Sequence, residues 1–157
     1  MSDSIEQKLK ELGLELPPAP PAAGVYHPVL LQGNHLYVSG QGPMQSDGTF
    51  IIGKVGKDMD TQAGKLAAQQ VGLTMLATIQ KHFGSLDKIK RLVKLLGMVN
   101  CTTDFEEQPA VINGCSELFA ALWGPENGVG VRSSVGVGSL PANTPVEIEA
   151  MFELKVG

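Results

Sequence analysis

Val131–Val156 reads VRSSVGVGSLPANTPVEIEAMFELKV, two runs of β-branched and apolar residues joined by Ser139-Leu140-Pro141-Ala142-Asn143-Thr144. Side chains alternate across a strand, so each run divides into two faces. In the second run Val146, Ile148, Ala150, Phe152 and Leu154 make an apolar face, and Glu147, Glu149 and Glu153 point away from it. In the first, Val131, Val135 and Val137 share one face, and Arg132, Ser134, Gly136 and Gly138 the other. One face is expected to line a core under helices. The opposite face, with small residues and a few charges, is expected to meet solvent or another subunit. Gly136 and Gly138 favour contact, because a strand glycine often marks close backbone approach.

Working back from this hairpin-like pair, Glu106 to Trp123 reads as a helix and Ile89 to Cys101 as a strand with a bulge at Gly97. Met59 to Phe83 is rich in helix formers over a length no strand reaches, and Gly84 closes it. Tyr26 to Gln32 and His35 to Ser39 are strand-like on either side of Gly33-Asn34, a hairpin dipeptide. A further short extended segment, Thr49 to Ile52, follows the turn signal Asp47-Gly48. The order ββ(β)αβαββ specifies an α+β sheet with both helices on one face.

Ahead of this domain, Ser4 to Leu12 reads as a short amphipathic helix. Ser4 and Gln7 form a capping box and Gly13 stands at the C′ position. A proline-rich spacer follows at Pro17 to Ala22. Residues 1–22 are expected to be an appendage with few core positions, and residues 23–157 the domain proper.

With 157 residues the chain has the length of one domain. No apolar run approaches the roughly 18 residues of a membrane span, and the polar N-terminus lacks the order of a secretory signal. A cytoplasmic protein is expected. Cys101 and Cys115 fall where core residues belong and read as buried free thiols. His27, His35 and His82 show no ligand spacing, so no metal site is expected. A formal charge of −4 argues against an extended phosphate-binding surface, because nucleic-acid affinity comes from clustered Lys and Arg. The partner expected is a small metabolite.

Several motifs are weaker than they look. Gly48 to Val55 matches a phosphate-binding loop except that Val55 replaces the Ser or Thr that would hold magnesium, and Phe50, Ile51 and Ile52 are apolar where backbone N–H groups should be exposed. Ser39 has no histidine in a recognisable partner position, which leaves a strand-end hydroxyl or a ligand contact. Lys88, Lys90, Arg91 and Lys94 read as a solvated strand edge. Arg132 differs, because a guanidinium in a valine-rich strand is costly unless an anion meets it. That anion is either a ligand carboxylate, held bidentately, or an internal partner, Glu147 or Glu149, on the next strand.

With these residues in view, Arg132-Ser133-Ser134-Val135, Leu140-Pro141 and Pro145-Val146-Glu147-Ile148-Glu149-Ala150 resemble the C-terminal signature of the RidA/YjgF family of reactive-intermediate deaminases, also known as endoribonuclease L-PSP. Gly24-Val25-Tyr26, Gly33-Asn34 with Val38-Ser39-Gly40-Gln41, and Val111-Ile112-Asn113 with Glu117 and Phe119 resemble its other motifs, in order, from about residue 24 onward. The resemblance implies a chorismate-mutase-like ββαβαββ fold and a homotrimer with a central barrel and clefts between subunits. It also implies a site of Tyr26, Ser39, Asn113, Arg132 and Glu147. The reaction implied is hydrolysis of 2-enamine or 2-imino acids to 2-keto acids and ammonia, with no metal or organic cofactor. Arg132 would anchor the substrate carboxylate and Glu147 would handle the proton of the attacking water. Ser134 in place of a common Cys, a longer Asn113–Arg132 segment and the N-terminal extension mark a distinct subgroup. Two other functions compete. A non-catalytic module binding small carboxylates would use the same arginine, and a ribonuclease would need a histidine pair and a basic groove that the sequence lacks.

Overall fold

The computed structural model describes residues 4–156. Helix α1 (Ile5–Glu11) precedes a two-strand hairpin, β1 (Val29–Gln32) and β2 (His35–Gln41). Helix α2 (Thr61–His82), strand β3 (Ile89–Asn100), helix α3 (Gln108–Asn127), β4 (Val131–Val137) and β5 (Val146–Leu154) follow. The five strands form one sheet in the order β1-β2-β5-β3-β4. The β3–β4 pair is parallel and every other pair antiparallel, and α3 supplies the crossover that a parallel pair requires. No described helix is long and apolar enough to cross a membrane.

Local chemistry explains most boundaries. Gly33 adopts φ +61° in the two-residue loop between Gln32 and His35, a conformation that favours glycine. The Asp60 side chain caps α2 by accepting from the Ala63 N–H at 2.8 Å. Gly124, at φ +87° and followed by Pro125, breaks α3 just after Trp123, which is where the sequence reading ends that helix. The Thr49–Ile52 segment is not a strand of the sheet. Phe50 makes an isolated bridge with Met44, and the left-handed glycines Gly48 and Gly53 bracket the loop. In β3 the register shifts lie between Ile89 and Arg91 and between Leu92 and Lys94, not at Gly97. Gly97 instead makes room for the Ile112 side chain, since a Cβ there would sit 2.6 Å from Ile112 Cδ1.

Helices α2 and α3 cover one face of the sheet, as expected, and pack on each other. Glycines set their separation: a Cβ on Gly72 would meet Leu118 Cδ2 at 2.9 Å, and one on Gly114 would collide with the Lys65 carbonyl. The core under them takes Val146, Ile148, Ala150, Phe152 and Leu154 from β5, as read from the sequence. The assignment for β4 is reversed. Arg132 is level with Leu95 of β3, which is level with the core residue Ala150, so Arg132, Ser134 and Gly136 face the helices. Val131 and Val135 lie on the open face, 67% and 41% exposed. Valine pattern misleads here because β4 is an edge strand. Gly136 is likewise explained within the chain, since a Cβ there would sit 2.9 Å from both Cys101 Sγ and Gln108 Nε2. Cys101 and Cys115 are free and buried.

The N-terminal helix is not an appendage. Ile5 and Leu9 are 4% and 3% exposed and belong to the core, while the Lys8 ammonium donates to the Leu122 carbonyl at 2.9 Å. The Ser4 hydroxyl accepts from the Gln7 N–H, and the C-terminus closes as a Schellman motif, with Gly13 N–H to Lys10 O and Leu14 N–H to Leu9 O. Its apolar spacing was legible; the surface that receives it, between Asp87 and Leu122, comes from distant parts of the chain. Leu9→Ala should therefore lower the unfolding free energy by about 2–3 kcal/mol in denaturant titration, a buried leucine truncation rather than a surface change. A loss below about 0.5 kcal/mol would return the helix to the status of an appendage.

Candidate functional site

Strand β2 reaches its end through an irregularity. Val38 pairs with Ala150 and Gln41 with Ile148, so β2 carries one more residue than β5 across this stretch. Such a bulge re-aims side chains, and here it presents Ser39 and Gly40 to a cavity. The Ser39 hydroxyl donates to the His27 carbonyl at 2.7 Å, and the Ser39 N–H donates to Pro28 O. Behind it, Gln41 donates to the Ser39 carbonyl and accepts from the buried Thr78 hydroxyl at 2.8 Å. A closed polar network therefore fixes the floor.

Glu147 leaves β5 on the open face and folds over Gly40. A Cβ on Gly40 would lie 2.6 Å from Glu147 Oε2, so glycine is what admits the carboxylate at this point. Glu147 is half-buried, and among the described residues its carboxylate has no ion pair and accepts no side-chain hydrogen bond. Desolvation raises its pKa above the ordinary glutamate value of 4.5, and Glu149 adds to the rise. Tyr26 stands at the rim, its hydroxyl accepting from the Ala23 N–H at 3.0 Å. The cavity measures about 660 Å³, and Met44, Phe50, Pro20, Pro21 and Pro141 supply much of its wall.

The Pro141 wall belongs to a tight loop in which Ala142 and Asn143 both take left-handed φ values, 56° and 55°. Non-glycine residues hold such angles where surrounding bonds over-determine them. Here Gly53 N–H donates to Asn143 O, and Asn100 donates to Thr144 O and Asn143 Oδ1. Lys54 donates to Asn100 Oδ1 and Gly138 O, both at 2.7 Å. The lysine of the phosphate-loop-like stretch is thus a tie between loops.

Arg132 lies elsewhere. Its guanidinium donates to Ser116 Oγ at 3.0 Å and to the Pro109 carbonyl at 3.3 Å, both on α3. Asn113 lies on the same α3 stripe, one turn from each, and so belongs to this group. The charge tempers a strong upward push on the buried Cys115 thiol, whose pKa is raised mainly by burial. Ser134, next along the same face of β4, has a buried hydroxyl with no hydrogen-bond partner among the described residues. The internal salt bridge is absent: no described carboxylate pairs with Arg132. Glu147 and Glu149 are not on the adjacent strand, because β3 intervenes.

Within one protomer the five expected residues form two groups. Tyr26, Ser39 and Glu147 line the cavity, whereas Arg132 lies at the β4–α3 edge, with Asn113 on the stripe of α3 that carries its partners Pro109 and Ser116. Glu147 and Arg132 project from opposite faces of the sheet. Counted in strand spacings and residue rises, their Cα atoms are roughly 14 Å apart. Sequence reading missed Gln41, Thr78 and Ser116. The Gln41 signal was present in its place beside Ser39-Gly40, but nothing in the sequence pairs it with Thr78.

Residues 6–151 match the family model described as "YjgF/chorismate_mutase-like, putative endoribonuclease". Protein TCP17 of Trypanosoma cruzi is 37% identical over 98% of this chain and 96% of its own length. The crystal structure of protein Atu1372 of Agrobacterium tumefaciens, of unknown function, superposes with a TM-score of 0.87 at 42% identity, covering 98% of this chain and 95% of that one. RidA from an Antarctic Psychrobacter gives a TM-score of 0.61 at 27% identity, over 87% and 94% of the two chains. Sheet order, helix placement and motif order agree with these similarities, and the chain belongs to the YjgF/chorismate-mutase-like family.

Proposed function

We propose that the chain is a hydrolytic deaminase of 2-enamine and 2-imino acids, working in a site shared between copies of itself. The observation that carries this reading is the desolvated, unpaired carboxylate of Glu147, set beside the Ser39 hydroxyl over the floor of a cavity. A carboxylate with a raised pKa is a better general base, and the acid it becomes holds its proton to higher pH than an ordinary glutamic acid does. An imine carbon is already electrophilic. Glu147 takes a proton as water adds to that carbon, then returns it to the departing nitrogen, leaving a 2-keto acid and ammonia.

Arg132 is the carboxylate anchor. Two of its five N–H donors meet α3, and the rest of the planar fork is free to take a carboxylate. Because Arg132 and Glu147 of one protomer face opposite ways, the anchor for each cavity comes from a neighbouring copy, as in a trimer with clefts between subunits. The open sheet face supports such packing. On either side of Glu149 and Lys94 it carries Leu30 with Tyr37 and Val131 with Val135, all large and exposed, and exposed apolar side chains on a sheet face favour association.

Subunit mixing tests the shared site. Arg132→Ala and Glu147→Gln should each abolish ammonia release from freshly generated 2-aminoacrylate. Co-refolded in equal amounts, they should regain about a quarter of wild-type activity, since that share of sites draws both intact residues from different copies. Mixtures as inactive as their components would overturn the shared site. Wild-type protein that binds 2-keto acids without accelerating ammonia release would establish the binding-module function instead.

The Glu147 pKa shift gives two further expectations. Turnover needs the ionised form, so the acid limb of the wild-type kcat profile should lie above pH 4.5. For stability, a carboxyl whose pKa is raised by folding weighs against the folded state progressively as pH rises from its unfolded to its folded pKa, and fully above that, because only the fold penalises ionisation. Glu147→Gln should melt higher than wild type at pH 7, and the difference should close below pH 4.5. Equal melting temperatures at pH 7 would show that the carboxylate is solvated.

A further inference from the structure

The chain between α1 and β1 passes along the core before it reaches the cavity. Pro17 is buried, Leu14 and Leu16 are partly buried against the core, and Pro20, Pro21, Ala22 and Ala23 then line the cavity. Docking of Ile5 and Leu9 fixes one end of this segment, and at the other the Ala23 N–H donates to the Tyr26 hydroxyl at the cavity rim. Prolines with locked φ stiffen the span between them. The result is a preformed wall, apolar and free of side-chain donors, standing with Met44 and Phe50 around the polar Ser39–Glu147 floor. A substrate bearing only a methyl group would barely touch the apolar surface of Met44, Phe50 and Pro20–Ala23, whereas largely apolar pockets enclose considerably larger molecules.

We propose that Pro20–Ala23 is the specificity-determining wall of the site and selects 2-imino acids with large apolar side chains, branched or aromatic, over two- and three-carbon ones. This rests on the deaminase reading, which puts the reacting carbon at Glu147 and so directs the side chain toward Met44, Phe50 and the proline segment.

The test uses the full chain and a series of 2-keto acids, the products of the reaction, with methyl, ethyl, isobutyl and benzyl side chains. Binding is followed by calorimetry. Ammonia release is followed from the corresponding imines, generated in place by an amino-acid oxidase. In wild type, affinity and kcat/KM should rise by about fourfold per buried methylene from methyl to isobutyl. Ala22→Trp, at an exposed position, should cut both at least about tenfold for the isobutyl and benzyl compounds and leave the methyl compound within about twofold. The Pro20→Gly, Pro21→Gly double variant, which loosens the wall without filling it, should erode the same preference. A flat series in wild type, or variants that shift all four compounds equally, would overturn the wall while leaving the deaminase standing. No binding and no ammonia release with any compound would overturn the deaminase reading, and the wall with it.

Discussion

Strand β5 is hydrogen-bonded on both sides, to β2 and to β3, and its alternation sets which faces of the sheet Glu147 and Arg132 occupy. Once Val146, Ile148, Ala150, Phe152 and Leu154 are committed to the core, Glu147 has no choice but the open face. The register carried through β3 then turns Arg132 the other way, toward α3. A slip of one residue in the β5 pairings would exchange its faces and bury carboxylates among the helices. The five-residue apolar stripe forbids that slip. Hydrophobic patterning on one strand therefore settles which charged groups share a face of the sheet and which do not.

Much of this was legible because it depends on period and punctuation. The β5 stripe, the Gly33-Asn34 turn, the α1 cap and both long helices follow from residue types at fixed spacing. What failed was every inference that needed to know the neighbour. The valines of β4 look like a core face, yet that strand is at the edge and α3 lies over its polar side. Gly136 and Gly97 mark close approaches, as mid-strand glycines do, but what approaches is Gln108 with Cys101 in one case and Ile112 in the other. The candidate site shows the same division. Its residue types were readable from motifs; their separation onto two faces was not, because strand order is a property of the whole sheet.

Two features of the site run against stability. Glu147 is desolvated with no ion-pair partner among the described residues, and the Ala142–Asn143 turn holds two non-glycine residues in left-handed backbone. Left-handed strain typically costs on the order of 1–3 kcal/mol per residue and persists only where other bonds impose it. The Lys54–Asn100–Asn143 ties impose it here, and the same loop contributes Pro141 to the cavity. Strain and unpaired charge thus concentrate at one end of the sheet, while the opposite end is conventional core.

The crossover through α3 also bears on how the molecule acquires its two functional groups. Arg132 meets partners only 16 and 23 residues away, so its environment is complete once β3, α3 and β4 have docked as a unit. The cavity instead gathers residues from both ends of the chain, Ala22 and Glu147 among them, and long-range closure of that kind is the slow part of folding. The surroundings of Arg132 can thus form before the cavity does, since the Glu147 carboxylate lies on β5, which follows β3, α3 and β4 in the chain.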